Sequence, residues 1–341
     1  MDSSVDFKFL RPFGFDIPSV PTRLKLPDYC GAIKVRWGIG RNQYTIAPGL
    51  YKVGKPDNQS DVFVSANYKL SFDTLRKNLD SMNAWILVID TKGINVWCAA
   101  GKGTFGTDNI VNSIKKTSLE YLVKHRVIIL PQLGAVNVAA HKVKEQSGFR
   151  VIYGPVNAKY IKAFVQAGYK ATPAMRKMTF PVYERAKLIP VDLLYGKYKL
   201  LIALFLFFVL SGLDRTGFIF TKMWETCRFP LANVIGAYFA GIVIAPLLLP
   251  WVPFRPFALK GAFWGAAITI FLNLFFEVGV LESVAFGLIN ISLASFMTMN
   301  FTGSSTYSSL SGVKKEMKLA IPFQIAFSFA GFVLFIISKL A

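Results

Sequence analysis

Long apolar runs dominate the chain after residue 197. Five of them approach the roughly 20 residues that a helix needs to cross a bilayer. They cover residues 198–213, 231–252, 259–281, 283–301 and 319–340. Few charged side chains interrupt these runs, so the pattern predicts an all-α transmembrane domain of five helices over residues 198–341.

A different pattern precedes this domain, because short apolar runs alternate with amphipathic segments. The predicted strands are 62–66, 84–90, 127–130 and 150–153, and the predicted helices are 72–79, 108–124, 141–146 and 158–166. Such alternation is typical of a parallel sheet covered by helices. We therefore predict an α/β, Rossmann-like domain over residues 61–170 that binds its ligand at the carboxyl ends of the strands.

Two further segments complete the predicted organisation. Residues 1–60 are rich in Pro and Gly with strand-like runs at 32–37 and 43–47, which predicts a β-rich N-terminal lead-in. Residues 171–197 carry mostly basic charges and are predicted as a basic connector. The first residues lack the apolar run of a signal peptide, so we expect a multi-pass protein of the cytoplasmic membrane with its α/β domain in the cytoplasm.

The charge balance narrows the choice of partners. The chain has 39 Lys and Arg against 19 Asp and Glu, a formal net charge of +20. Zinc-finger spacing and a helix-turn-helix pattern are not evident, so nucleic acid is not a predicted partner. Basic charge beside apolar spans is typical of contact with an anionic lipid bilayer.

Cysteine usage bears on the cofactor. The three cysteines, Cys30, Cys98 and Cys227, lie far apart and form no Cys-x-x-Cys pair. This spacing predicts no intrinsic iron–sulfur cluster, because such clusters need several clustered thiolates. Any electrons that the protein uses would then come from a partner.

Eight residues around Cys98 carry the candidate chemistry. They are Asn95, Val96, Trp97, Cys98, Ala99, Ala100, Gly101 and Lys102. Asn95 is a favoured N-cap, which places Cys98 at the third position of a short predicted helix. There the free backbone N–H groups and the helix dipole favour a thiolate, and Lys102 adds a positive charge. A thiolate in this setting is a nucleophile or a ligand for a soft metal, whereas the alternative interpretation is an inert core thiol.

These eight residues closely resemble the cap-helix motif of the mercury-methylating corrinoid proteins. The resemblance continues through residues 66–70 and 129–135 and into the apolar C-terminal region. It implies a cobalamin-type corrinoid cofactor with Cys98 as the lower axial ligand to cobalt. The common Asp-x-His-x-x-G lower-ligand motif is excluded, because neither His125 nor His141 has Asp two positions before it.

The resemblance also implies which residues form the site. Cys98 would be both the catalytic residue and the metal ligand. Trp97, Ala99, Ala100 and Gly101 would line the lower face of the corrin. The full predicted set of cofactor contacts is Asn95, Val96, Trp97, Ala99, Ala100, Gly101, Lys102, Gly103, Gln132, Gly134 and Gly154. The last three follow later predicted strands, where topology favours binding of the nucleotide tail, although simple turn geometry is an equal alternative.

The implied function is membrane-anchored methyl transfer. A methyl group would pass from methylcob(III)alamin to inorganic Hg(II) and give methylmercury. A thiolate below cobalt donates more electron density than imidazole, so transfer as an anion-like or radical species is the mechanistic hypothesis. The implied partners are a ferredoxin-like reductant with two 4Fe–4S clusters, and a methyl-folate or a methyltransferase carrying one as methyl donor.

Two alternatives stay open beside this interpretation. One is a one-carbon corrinoid carrier, related to the corrinoid iron–sulfur protein of acetyl-CoA synthesis, whose acceptor is not mercury. The other is a transporter with a nucleotide-sensing domain. The second is disfavoured, because the sequence shows no inverted repeat and few charges inside the apolar runs.

Overall fold

The computed structural model describes residues 17–304 and 310–341. The described chain divides into two compact units. One contains residues 17–35 and 39–179, and the other contains residues 36–38 with the described residues from 180 onward. The first 16 residues of the predicted lead-in lie outside the described residues.

A mixed five-stranded sheet forms the centre of the first unit. Its strands are β1 (Gly49–Val53), β2 (Val62–Ala66), β3 (Ala84–Ile89), β4 (Val127–Leu130) and β5 (Arg150–Tyr153). They lie in the order β1-β3-β2-β4-β5. Strands β2 to β5 are parallel, whereas β1 pairs antiparallel with β3 at one edge. The prediction of a parallel sheet is thus confirmed for the four predicted strands, and β1 is an additional one.

Helices cover both faces of this sheet. They are α1 (Leu26–Arg36), α2 (Lys69–Asn78), α3 (Val96–Lys102), α4 (Thr107–Lys116), α5 (Leu119–Leu122), α6 (Ala140–Ser147), α7 (Ile161–Gln166) and α8 (Pro173–Arg176). Helices α2 and α7 contribute to one apolar core, and helices α3 to α6 contribute to the other. Every residue of β2 and β3 is buried, as expected for strands covered on both faces. The strand order changes direction between β2 and β4, the place where open α/β sheets bind ligands.

Three local predictions were wrong. Residues 32–37 are not a strand, because they fall largely within α1, whose first turn is held by the Asp28 carboxylate accepting the Lys25 N–H at 2.9 Å. Residues 43–47 form a 3-10 turn (Arg41–Gln43) and an isolated bridge instead of a strand. The predicted helix 108–124 is divided into α4 and α5, because Ser118 adopts a left-handed conformation with φ of 50°.

The second unit is largely helical. It contains α9 (Val182–Ala186), α10 (Ile189–Leu210), α11 (Phe220–Thr226), α12 (Arg228–Phe239), α13 (Ala245–Leu247), α14 (Phe257–Asn273), α15 (Val280–Asn300) and α16 (Leu310–Leu340). A π-helical segment, Ala240–Ile244, joins α12 to α13. Two-residue strands β6 (Leu213–Asp214) and β7 (Gly217–Phe218) follow α10. The segment predicted as a connector, 171–197, holds α8, α9 and the first turns of α10.

Four helical stretches among the described residues are long and apolar enough to cross a membrane. They are Val182–Leu210, Arg228–Leu247, Val280–Asn300 and Ser311–Leu340. The remaining predicted span corresponds to α14, which has 17 residues. At 1.5 Å per residue this helix is about 25 Å long, less than the roughly 30 Å of a bilayer core. The predicted count of five spans is therefore not confirmed, but the apolar helices are compatible with a membrane anchor.

Small residues allow the helices of this unit to approach closely. A Cβ atom on Gly261 or Gly265 of α14 would collide with the backbone of α15. Near this contact, the fully buried Asn290 side chain donates to Asn233 Oδ1 at 2.6 Å and to Thr269 Oγ1 at 2.9 Å. Glycine contacts and buried amide hydrogen bonds of this kind are typical of helix pairs in membranes.

Candidate functional site

Helix α3 begins with the predicted cap. The Asn95 side-chain oxygen accepts the backbone N–H of Cys98 at 2.9 Å, and Val96 is the first helical residue. Both the N-cap and the third helical position of Cys98 are thus confirmed. The helix ends at Gly103, whose φ of 85° needs a residue without Cβ.

The two sides of α3 differ in exposure. Val96, Ala99 and Ala100 pack into the apolar core, with Ala99 fully buried. Trp97 and Cys98 are half-buried, and Gly101, Lys102 and Gly103 are exposed. Residues three apart share one side of a helix, so Gly101 lies beside Cys98 on the accessible side. A Cβ atom added to Gly101 would meet no other atom within 4 Å.

This arrangement separates the residues that were predicted to line one ligand face. The side chains of Ala99 and Ala100 point into the core and offer no accessible surface. Trp97 and Gly101 lie on the accessible parts of the helix. Trp97 and Gly101 thus have surface available to a ligand in this structure, and the predicted contacts of Ala99 and Ala100 stay predictions.

Asn67 positions the loop that leads into α3. It follows β2 directly and is buried, and its Oδ1 accepts the N–H groups of Thr91 and Gly93, each at 3.0 Å. The same oxygen lies 2.8 Å from Thr91 Oγ1, and Asn67 Nδ2 donates to Asp90 Oδ1 at 3.2 Å. Asn67 lies within residues 66–70, where the resemblance continues, but the sequence alone assigns it no role. A polar residue at the carboxyl end of a buried strand was the signal that could have identified it.

The segment after β4 also lies against α3. It is the 3-10 helix Gln132–Val136, which contains the predicted residues Gln132 and Gly134. A Cβ atom on Gly134 would lie 2.7 Å from the ring of Phe105, which is fully buried. Gly134 is therefore required by packing. The segment that contains Gln132 and Gly134 lies against the cysteine helix, and the predicted contact of these residues with a cofactor stays a prediction.

Gly154 has a structural role at the end of β5. Its N–H donates to the Leu130 carbonyl at 2.7 Å and prolongs the pairing of β4 with β5. A Cβ atom there would lie 3.2 Å from Ile129 Cγ2. Tight strand packing accounts for this glycine, and its predicted contact with a cofactor stays a prediction.

A polar cavity of about 570 Å³ begins at the C-terminal end of α3. Its lining includes Gly103, Thr107, Asn109, Asn137 and Lys142. Side-chain amides, a hydroxyl and an ammonium group thus converge on one space near the cysteine helix. Sequence reasoning did not identify this cavity, because its walls come from α4, α6 and the segment that precedes α6.

The described residues contain no group of three or more His, Cys, Asp or Glu side chains that could hold a metal ion. His125 lies 3.0 Å from the Ser60 carbonyl through Nε2, and its Nδ1 accepts the Val127 N–H at 3.1 Å. Cys30 is exposed and Cys227 is buried in the second unit.

An ion cluster anchors α1 to α2 in the same unit. Lys69 Nζ lies 2.5 Å from Asp28 and 2.6 Å from Asp73, and Arg76 bonds the same two carboxylates at 2.8 and 2.7 Å. Burial raises the pKa of Asp28, but the hydrogen bonds from Lys69, the Lys25 N–H and Arg76 outweigh it and hold that pKa below its ordinary value. Asp28 is thus ionised and paired at neutral pH.

Residues 40–165 match the family described as CO dehydrogenase/acetyl-CoA synthase delta subunit. This segment contains β1 to β5 and α3. The acetyl-CoA decarbonylase/synthase complex subunit gamma of Methanopyrus kandleri is 30% identical over 128 residues, which are 37% of this chain and 27% of the relative. The subunit of the same name from Archaeoglobus fulgidus is 28% identical over 131 residues, 38% of this chain and 27% of the relative.

The name of a third relative mentions a cofactor. The corrinoid/iron-sulfur protein large subunit of Moorella thermoacetica is 33% identical over 120 residues, 35% of this chain and 26% of the relative. The matched segment spans about a quarter of the length of each of these relatives. Over residues 40–165, the chain is therefore similar to the corrinoid iron–sulfur protein family.

Proposed function

We propose that this chain is a membrane-anchored, corrinoid-dependent methyltransferase that passes a methyl group to inorganic Hg(II). The observation that carries the proposal is the accessible side of α3, where the half-buried Cys98 lies beside open space at Gly101. The similarity of residues 40–165 to the corrinoid/iron-sulfur protein large subunit supports a cobalamin-type cofactor. The resemblance of the Cys98 string supports mercury as the acceptor.

The donor set around Cys98 fits such a cofactor. A corrin ring would bring most of the ligands of its cobalt, so Cys98 alone would suffice as the ligand from the protein. A zinc ion or an iron–sulfur cluster would need three or four protein ligands, and the described residues provide no such group. Gly101 leaves room for a broad planar molecule to approach the thiol.

The residues of this chain would hold and orient the cofactor. Asn95 fixes the first turn of α3 and with it the backbone of Cys98. The core contacts of Val96, Ala99 and Ala100 keep the helix from moving when a ligand approaches. The bound cofactor would supply a methyl group on cobalt, and electron donation by the Cys98 thiolate would favour its transfer as an anion-like or radical species to an electrophile such as Hg(II).

The nucleotide tail of the cofactor would occupy the polar cavity between α4 and α6. Thr107, Asn109, Asn137 and Lys142 line this cavity and offer both donors and acceptors. Gln132 belongs to the segment packed against α3 and would contribute a further amide. Gly103 lines the cavity and also ends the helix that carries Cys98, which supports one molecule occupying both places.

The partners in this proposal follow from two needs of the proposed reaction, a source of electrons and a source of the methyl group. A ferredoxin-like protein with two 4Fe–4S clusters would restore the reduced cobalt, and a methyl-folate, or a methyltransferase carrying one, would supply the methyl group. The four membrane-length helices would anchor the chain in the cytoplasmic membrane, with the α/β unit in the cytoplasm. Hg(II) is the substrate.

A second candidate is a one-carbon methyl carrier whose acceptor is not mercury. The names of the relatives favour it, because two of them are subunits of acetyl-CoA decarbonylase/synthase complexes. Both candidates need the same corrinoid and the same cysteine. They differ only in the acceptor.

Methylmercury formation is the test of the proposed function. Cells that express the chain with the ferredoxin-like partner are given Hg(II) without oxygen, beside variants Cys98→Ala and Cys98→His. We expect activity in the unchanged chain and in Cys30→Ala, whose thiol is exposed and outside the site. We expect none in Cys98→Ala at equal protein level.

Two outcomes would contradict parts of the proposal. Full activity of Cys98→His, which retains an axial ligand, would show that thiolate donation is not needed. Bound corrinoid without methylmercury formation by the unchanged chain would replace mercury methylation with the one-carbon carrier.

A further inference from the structure

Helix α1 presents an apolar stripe that no described residue of its own unit covers. Leu26 is 76% exposed, Tyr29 49% and Ile33 57%. At 100° per residue these positions fall within an arc of roughly 60°. Cys30 is also exposed and lies at the edge of this arc, on the side of Lys34. The stripe is therefore one continuous apolar surface.

The stripe is exposed because contacts on the opposite side of α1 fix the orientation of this helix. On the opposite side of α1, Val35 is 1% exposed. On the same side as Val35, Asp28 is paired with Lys69 and Arg76 of α2. These anchors hold α1 in one orientation, so the stripe faces away from the unit that carries it.

The charges around the stripe are basic. Lys34 borders the arc on one side, Arg36 borders it on the other, and Lys25 precedes the first turn. The one acidic residue of the helix, Asp28, is neutralised by its partners in α2. An apolar stripe of Leu, Ile and Tyr with basic residues along its edges is the pattern of helices that lie flat in a membrane interface.

We propose that α1 lies in the interface of an anionic bilayer, with its stripe at the boundary of headgroups and acyl chains. Lys25, Lys34 and Arg36 would contact the anionic headgroups. A bilayer is available, because the described part of the chain includes four helices of membrane-spanning length. The combination of aliphatic and aromatic side chains with flanking cations favours lipid over an acidic protein. This inference does not depend on the corrinoid or on the acceptor.

Cys30 provides a direct measurement, because it is exposed and lies at the edge of the stripe, between the apolar arc and Lys34. The full chain is placed in detergent, in nanodiscs of phosphatidylcholine, and in nanodiscs containing phosphatidylglycerol. Modification of Cys30 by a neutral, water-soluble maleimide is followed by site-resolved mass spectrometry. We expect modification to be at least about tenfold slower in the anionic nanodiscs than in detergent, with 0.5 M salt restoring much of the rate.

Two variants control this experiment. Replacing Lys25, Lys34 and Arg36 together by Gln should abolish the protection that depends on lipid charge. Glu145→Cys places a reporter on the exposed surface of α6 in the same unit, and its modification rate should not respond to lipid charge. The triple variant keeps the Asp28 cluster intact, so it preserves the anchoring of α1.

Three outcomes would overturn the inference. Equal modification of Cys30 in all three environments would show that α1 does not enter the bilayer. Protection in detergent as well would show that another part of the chain covers the stripe. Protection that appears only when the ferredoxin-like protein is added would make α1 a protein-docking surface instead.

Discussion

Asn67 Oδ1 accepts the backbone N–H of Thr91 at 3.0 Å and thereby joins the carboxyl end of β2 to the loop after β3. The same oxygen accepts the Gly93 N–H. The loop held in this way ends at Asn95, the cap of α3. Asn67 therefore positions Cys98 through the loop, without any contact with the thiol being required.

Replacing Asn67 by Ala should loosen this loop. The change leaves the buried N–H groups of Thr91 and Gly93 without an acceptor, at about 1–3 kcal/mol for each. We expect local stability to fall by about 2–4 kcal/mol, measured by hydrogen exchange of residues 90–95 in the full chain. Asn67→Asp keeps the acceptor and should cost less, although it faces the Asp90 carboxylate. Unchanged exchange in Asn67→Ala would contradict the positioning role.

Substitutions at Gly101 can distinguish an effect on folding from an effect on ligand binding. Because a Cβ there meets nothing within 4 Å, Gly101→Ala should stabilise α3 by about 0.5–1 kcal/mol. Gly101→Leu should also fold, but its side chain would occupy the space beside Cys98 and greatly reduce corrinoid binding.

Corrinoid retained by purified protein, read from its visible absorption, measures this effect. Glu145→Leu is the control, since it adds an exposed apolar side chain to α6, outside the predicted cofactor contacts. Equal corrinoid retention by Gly101→Leu and the unchanged chain would show that the cofactor does not approach Cys98 over this side of α3.

Gly134 should be sensitive for a packing reason. Its added Cβ would lie 2.7 Å from the buried ring of Phe105. We expect Gly134→Ala to destabilise the unit by about 1–3 kcal/mol, as overpacked cores do. The double variant Gly134→Ala, Phe105→Leu should recover part of this loss. Hydrogen exchange of β2 and β4 measures the loss of stability. Equal destabilisation by Gly134→Ala and by the double variant would contradict the packing explanation.

Acid should weaken the attachment of α1. The pKa of Asp28 is lowered in the folded chain, so its ionised form contributes stability above the ordinary carboxyl pKa of 3.8. That stability is lost as the pH falls below this value towards the lowered pKa. We expect protection of α1 against proteolysis to decline between about pH 4 and pH 2, and Asp28→Asn to be less protected at pH 7 with a weaker pH dependence. A decline centred near neutral pH would assign the attachment to another group.

The strands that could be predicted from the sequence are those whose two faces are both covered. β2 to β5 stand out as short apolar runs because both faces are covered. β1 was missed because Lys52 interrupts its apolar pattern and its partner β3 lies more than 30 residues away. α1 was missed because its stability comes from the ion cluster with α2, which no window of neighbouring residues contains.

The same distinction applies to the site. The Asn95 cap on Cys98 spans three residues and was read from the sequence alone. Asn67 and Thr91 are 24 residues apart, and Gly134 needs Phe105 to explain it. These relationships depend on how strands and loops pack, so residue types and spacing could not supply them.

Substitutions on the buried side and on the accessible side of α3 are limited by different causes. Substitution of Ala99 or Ala100 is limited by core volume, and so would be limited in any protein that keeps this fold, whatever it binds. Substitution of Cys98 or Gly101 is limited by the molecule that binds there and its reaction, and not by core volume. A chain that retained both alanines but had lost the cysteine and this glycine would have inherited the architecture without the reaction. In comparisons among distant relatives, the outward pair is therefore the informative signature.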